Sequence, residues 1–160
     1  MDAATRAAEL ADMVGAAHGR VMSFAAGCSD ADWTSVCPGE TWPIGVVLDH
    51  IADGYRAFDG WIRGYLEGHP VRVTREQIEA MNAEHAVATA TRPRLDTVAH
   101  LASASESTIA VVRGLSHDQL AIAHPMALRG GETVSAEQLV QALLRHTAGH
   151  LQSCRQALGR

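Results

Sequence analysis

A chain of 160 residues with 47% hydrophobic side chains can bury one core, and this composition is neither disordered nor membrane-spanning. The net charge is −5 and no basic cluster is present, which argues against a nucleic-acid partner, whose phosphates favour a positive face. All 13 basic residues are arginine, so Schiff-base chemistry on a lysine is excluded.

No apolar run approaches the length of a bilayer span. The amino-terminal stretch Met1 to Arg6 lacks a basic segment followed by an apolar one, the mark of a secretory leader. The expectation is a single cytoplasmic domain over residues 1–160, away from membranes.

The first helical pattern covers residues 3–27. Leu10, Met13, Val14, Ala17, Val21 and Phe24 recur at three- and four-residue spacing, and Gly27 is a stop. His18 falls beside this stripe, as a partly exposed side chain or a ligand. Ser29 to Trp42 is a connection, in which Ser29 to Trp33 can make one turn of helix. Trp33 and Trp42 read as covers for the end of the core.

The second helix begins at Pro43, a residue suited to a first helical position, with Thr41 available for capping. Its stripe runs through Ile44, Val47, Leu48, Ile51, Tyr55, Phe58, Ile62 and Tyr65, and Gly68 and Pro70 end it. His50 lies at one edge of that stripe at about 100° per residue.

Thr74-Arg75-Glu76-Gln77 has the capping-box form and opens a third, shorter helix, with Ile78, Met81, His85 and Ala88 on its inner face. Pro93 opens the next helix, whose stripe is Leu95, Val98, Leu101, Ala102, Ser105, Ile109 and Val112, and Gly114 ends it. Residues 115–134 read as an irregular connection with His117, His124, Pro125 and Gly130-Gly131. Loops of that length in compact domains tend to be functional or mobile. No strand-like alternation of useful length is present. Ser135 to Gln138 is a second capping box and opens the last helix, which runs to about Leu158. The fold class is therefore all-α, a bundle of four long helices and one shorter one.

His146 and His150 are four apart on the last helix and point to one face. They lie at the edge of the stripe Val140, Leu143, Leu144, Thr147, Leu151, Leu158, as His50 does on its own helix. Three histidines at stripe edges can converge in a cleft between two packed helices. Spacing alone leaves a metal site and ordinary hydrogen-bonding histidines both open. The pair lacks the acid of the metalloprotease H-E-x-x-H motif, because Thr147 follows His146. The three cysteines, Cys28, Cys37 and Cys154, follow no metal-ligand spacing and read as reduced thiols. Cys154 is two turns beyond His146, as a small core residue or a neighbour of the histidines.

Three segments carry a resemblance. Thr41 to Ala52, with Trp42 eight residues before His50, resembles the start of the second helix in the DinB/YfiT-like family. Arg145 to His150 is similar to that family's last-helix H-x-x-x-H, and Met81 to Ala86 to a stretch on its short third helix. The order and separations match along nearly the whole chain. The resemblance implies an up-down-down-up four-helix bundle. It implies a divalent metal, zinc or nickel, held by His50, His146 and His150. It also implies a small-molecule substrate with a low-molecular-weight thiol such as mycothiol, in S-transfer or isomerisation. Other members are labelled only as metal-dependent hydrolases. Mycothiol-dependent maleylpyruvate isomerases carry a second, carboxy-terminal domain that this chain lacks.

Two mechanistic classes follow. In a metalloenzyme, three neutral imidazoles leave a cation its charge and open positions. Asp53 is then a residue to orient a ligand imidazole or a solvated carboxylate, and Glu84 and His85 are acid/base candidates or surface and core residues. In a non-catalytic module, the bundle binds a ligand or forms a homodimer through an alanine-rich helix face.

Overall fold

The computed structural model describes residues 3–160; Met1 and Asp2, at the head of the amino-terminal stretch considered above, lie outside the described residues. Among the described residues there are seven α-helices, one turn of 3-10 helix (Ala127–Arg129) and one small hairpin: α1 (Ala3–Ala26), α2 (Asp30–Thr34), α3 (Ile44–Leu66), α4 (Arg75–Thr89), α5 (Arg94–Arg113), α6 (His117–Ala121), β1 (Ala123–Pro125), β2 (Thr133–Ser135) and α7 (Ala136–Ala157). The protein is mostly helical, as the patterns require. No helix among the described residues is long and apolar enough to cross a membrane.

Four long helices enclose the core. α3 packs against α5 and α7, and α1 packs against the same two. Asp49 meets Thr97 near the start of α3 and α5, and Tyr55 meets Thr108 further along, so these two helices run parallel. Leu10, Val14 and Val21 of α1, Ile44, Leu48, Ile51 and Ile62 of α3, Leu101 of α5 and Leu139 and Leu143 of α7 are fully buried. At roughly 1.5–3 kcal/mol for each large apolar side chain, this burial is the main force holding the helices together.

Four helices start at a complete capping box. Thr74 and Ser135 do so as the sequence requires; Ser29 and Ser116 do so at the one-turn helices α2 and α6. In each, the side-chain oxygen accepts from the third helical N–H while the third side chain returns the bond. α3 differs from expectation: Pro43 is its cap, without a side-chain bond. Thr41 instead sits at φ 62°, a left-handed conformation uncommon for a β-branched residue. It closes a tight turn in which Thr41 N–H donates to the Cys37 carbonyl and Cys37 N–H to that of Trp42.

The α5 stripe is rotated from where the hydrophobic pattern puts it. On α5, Leu95 is 81% exposed while Thr97, Ser105 and Thr108 are buried. Their hydroxyls are satisfied: Ser105 donates to the Ala102 carbonyl, Thr108 is placed against the Ala104 and Tyr55 carbonyls, and Thr97 donates to Asp49. A satisfied hydroxyl can be buried as readily as a small apolar group. On α4, Ala88 is exposed and the other inward residues, Ile78, Met81 and His85, face a cavity.

The connection 115–134 is more ordered than its composition suggests. β1 and β2 pair antiparallel, with His124 opposite Val134, and Gly130 and Gly131 supply the positive φ of the reversal. Ala127 N–H donates to the Val71 carbonyl, and Tyr65 Oη to that of His124, which ties the hairpin to the end of α3.

Candidate metal centre

α3 and α7 bring His50, His146 and His150 together, each offering a ring nitrogen, and the three nitrogens lie within 4.8 Å of one another. His50 Nε2 and His146 Nε2 are 3.2 Å apart. Two nitrogens bound to one tetrahedral zinc at 2.0–2.1 Å would be separated by about 3.3 Å, so the spacing fits a shared cation. His146 is held close by Gly54 of α3: a Cβ there would sit 2.5 Å from His146 Cε1. Its Nδ1 is buried without a partner, which leaves Nε2 as the ring's one polar outlet.

Burial pushes the His50 imidazole down to about 4 and His146 down to about 3, and neighbouring histidines add to both shifts. Both rings are therefore neutral at pH 7, the form a metal requires.

His150 is oriented by a residue that its sequence position does not reveal. Its Nδ1–H donates to Glu40 Oε1 at 2.5 Å, and the Ser153 hydroxyl donates to Glu40 Oε2 at 2.5 Å. Burial works to raise the Glu40 carboxyl, but the bonds from Ser153 and His150 outweigh it and hold it below its ordinary value. With Nδ1 donating, Nε2 is the ring nitrogen left to face the cluster, the usual arrangement of a carboxylate behind a ligating histidine. Glu40 arrives on the turn closed by Thr41. Trp42, read as a cover for the core, stands edge-on to His50, with ring centroids 5.5 Å apart.

Asp53 and His85 join a second cluster on the other side of His50. His85 Nδ1 is 2.6 Å from Asp53 Oδ2, and the hydrogen bond from His85 is the main reason the Asp53 carboxyl is held below its usual value. Asp49, fully buried, accepts from Arg92 at 2.7 Å and Thr97 at 3.0 Å, and His100 stands 3.4 Å away. Asp49, Asp53 and His100 also have the mutual spacing of metal ligands, but here the Arg92 guanidinium already supplies the cation. Glu84 is exposed and lies off the cavity wall. Cys154 is buried with its sulfur 3.8 Å from that of Cys37, and it is not one of the three residues whose ring nitrogens converge.

The three histidines open onto a cavity of about 820 Å³. Phe58 and Trp61 of α3, Ile78 and Met81 of α4, and Met126 and Leu128 before β2 give it apolar walls. The hairpin region is thus one side of the chamber.

A helical bundle that gathers three histidines on the wall of an apolar chamber has the ligand types and spacing of a candidate metal-binding helical protein. The model of the DinB superfamily matches residues 13–154, nearly the whole chain, and the protein belongs to that superfamily. No curated protein and no solved structure matches it.

Proposed function

We propose that this protein is a divalent-metal-dependent enzyme in which His50, His146 and His150 hold zinc or nickel. We propose further that it transfers or isomerises substrates using a low-molecular-weight thiol of the mycothiol type. The observation that carries the reading is the convergence of three imidazoles, two of them neutral by burial, on the wall of a large apolar cavity. A divalent cation held there would lower the pKa of a thiol or a water bound to it.

The chain's own groups favour the thiol over water. Among the described residues, every acid on the cavity wall is already engaged: Glu40 by His150 and Ser153, Asp53 by His85, and Glu132 by Arg129. The partners of Glu40 and Asp53 hold both carboxyls below their ordinary values and make them poorer acceptors for a proton from water, whereas a thiol ionises far more readily. Glu40 holds the His150 ring in orientation, and Trp42 and Phe58 keep water from the flanks of His50 and His146. The hydrolase reading is the alternative this argument disfavours. The up-down-down-up course belongs to the same proposal, supported by the parallel run of α3 and α5. A homodimer does too, supported by Val87 and Leu95, each 81% exposed.

The test is a conjugation assay with zinc- or nickel-loaded protein, mycothiol and monochlorobimane, beside hydrolysis of an aryl ester. The expected result is thiol-dependent conjugation that His146→Ala abolishes. Ester hydrolysis without thiol, equally sensitive to that substitution, would select the alternative.

A further inference from the structure

The cavity is lined by more than the histidine cluster. Five charged residues other than histidine line it: Glu40, Asp53, Arg129, Glu132 and Arg145. Four of these are paired within the protein, Arg129 and Glu132 with each other at 2.8 Å. Arg145 is the exception: it makes no hydrogen bond or ion pair among the described residues. It projects from α7 one residue before His146, on the face that also puts Gln138, Gln141 and Ala142 on the wall. Arg145 is exposed at the cavity rim, and its guanidinium presents several donors in a planar fork that matches a carboxylate. Phe58, Trp61 and Met81 line the same cavity, and its other charged side chains besides histidine are paired among the described residues.

We propose that the substrate of this site is an amphipathic carboxylate, with its apolar body against Phe58, Trp61 and Met81 and its carboxylate on Arg145. The inference rests on the metalloenzyme reading for the use made of that substrate, since the anchored molecule then lies beside the histidine cluster. Arg145 acts as a specificity-determining residue. It discriminates between acids and neutral molecules of the same shape, and it does not hold the metal.

The probes are 5-phenylvalerate and 5-phenylpentan-1-ol, which share an apolar body and differ in charge. Binding is read by calorimetry and by quenching of tryptophan fluorescence, in metal-free and in zinc-loaded protein. The expected result is a preference of about tenfold for the carboxylate, the scale of one charge-assisted contact at a partly exposed site. The preference should appear in both forms, be lost in Arg145→Gln and be kept in part by Arg145→Lys. Zinc affinity should be the same in all three proteins. Trp61→Ala should weaken both probes alike. A preference that survives Arg145→Gln overturns the proposal. So does one that appears only with zinc bound, because the carboxylate is then on the metal; that outcome leaves the metal reading standing. An Arg145-dependent preference in a protein that takes up no zinc supports the anion site and sinks the metal reading instead.

Discussion

Gly54 fixes how closely α7 approaches α3 at the histidine cluster, because the His146 ring lies where a side chain would begin. Gly54→Ala places a methyl 2.5 Å from His146 Cε1 and must turn that ring away from His50. The expected outcome is a loss of zinc affinity of about tenfold or more, with helical content retained, measured by competition with a chromophoric chelator. Glu40→Gln acts from the other side, removing the carboxylate that accepts from His150 Nδ1. A weakening of about 10–100-fold is expected in the same assay. That His50, His146 and His150 face one cleft was legible from helical periodicity, which puts residues four apart on one face; the ligand role itself was implied by the family resemblance. Glu40 was not legible. It reaches His150 from a turn that depends on Thr41 at φ 62°, and no periodicity constrains a side chain placed that way.

At the scale of elements, the start of α5 is held to α3 by a buried carboxylate. Asp49 accepts from Arg92 and Thr97, and its burial is complete. Asp49→Ala should cost about 2–4 kcal/mol in urea unfolding, as it breaks a buried hydrogen-bonded ion pair. Asp49 takes a place on α3 that no apolar pattern marks, and the α5 face that meets it carries threonine and serine. That is why the hydrophobic stripe assigned to α5 is rotated from the buried one. The ends of α4 and α7 were legible from Thr74-x-x-Gln77 and Ser135-x-x-Gln138. The same form, Ser116-x-x-Gln119, opens α6 within a stretch that looked irregular, so there the signal was present and unused. The hairpin left no such trace. Strands of three residues, Ala123–Pro125 and Thr133–Ser135, are too short for alternation to show.

The whole molecule has a pH dependence set by its buried imidazoles. His50 and His146 bind protons less readily in the fold, at about 4 and about 3, than in an unfolded chain near 6.5. The unfolded state therefore takes up the extra protons as pH falls. Stability from these groups is complete above about pH 6.5 and is lost as pH drops toward 4 and 3. Metal-free protein should show a falling midpoint in urea across that window, and the loss should shrink in His50→Phe. The cavity is also a property of the whole chain. Its walls come from α3, α4, α7 and the hairpin, and its size follows from how the 115–134 segment folds back, which no single stretch of sequence specifies.

In the proposed site, three imidazoles from two helices hold one divalent cation. Elemental analysis of the purified protein beside His146→Ala, with thermal unfolding in the presence and absence of zinc or nickel, tests this. Close to one divalent metal per chain is expected in the wild type. A higher melting temperature on adding metal is expected too, with loss of both in a His146→Ala protein that keeps its helical circular dichroism. A wild-type protein that holds no metal and gains no stability from zinc or nickel would contradict the proposed site, as would a His146→Ala protein that binds metal as tightly.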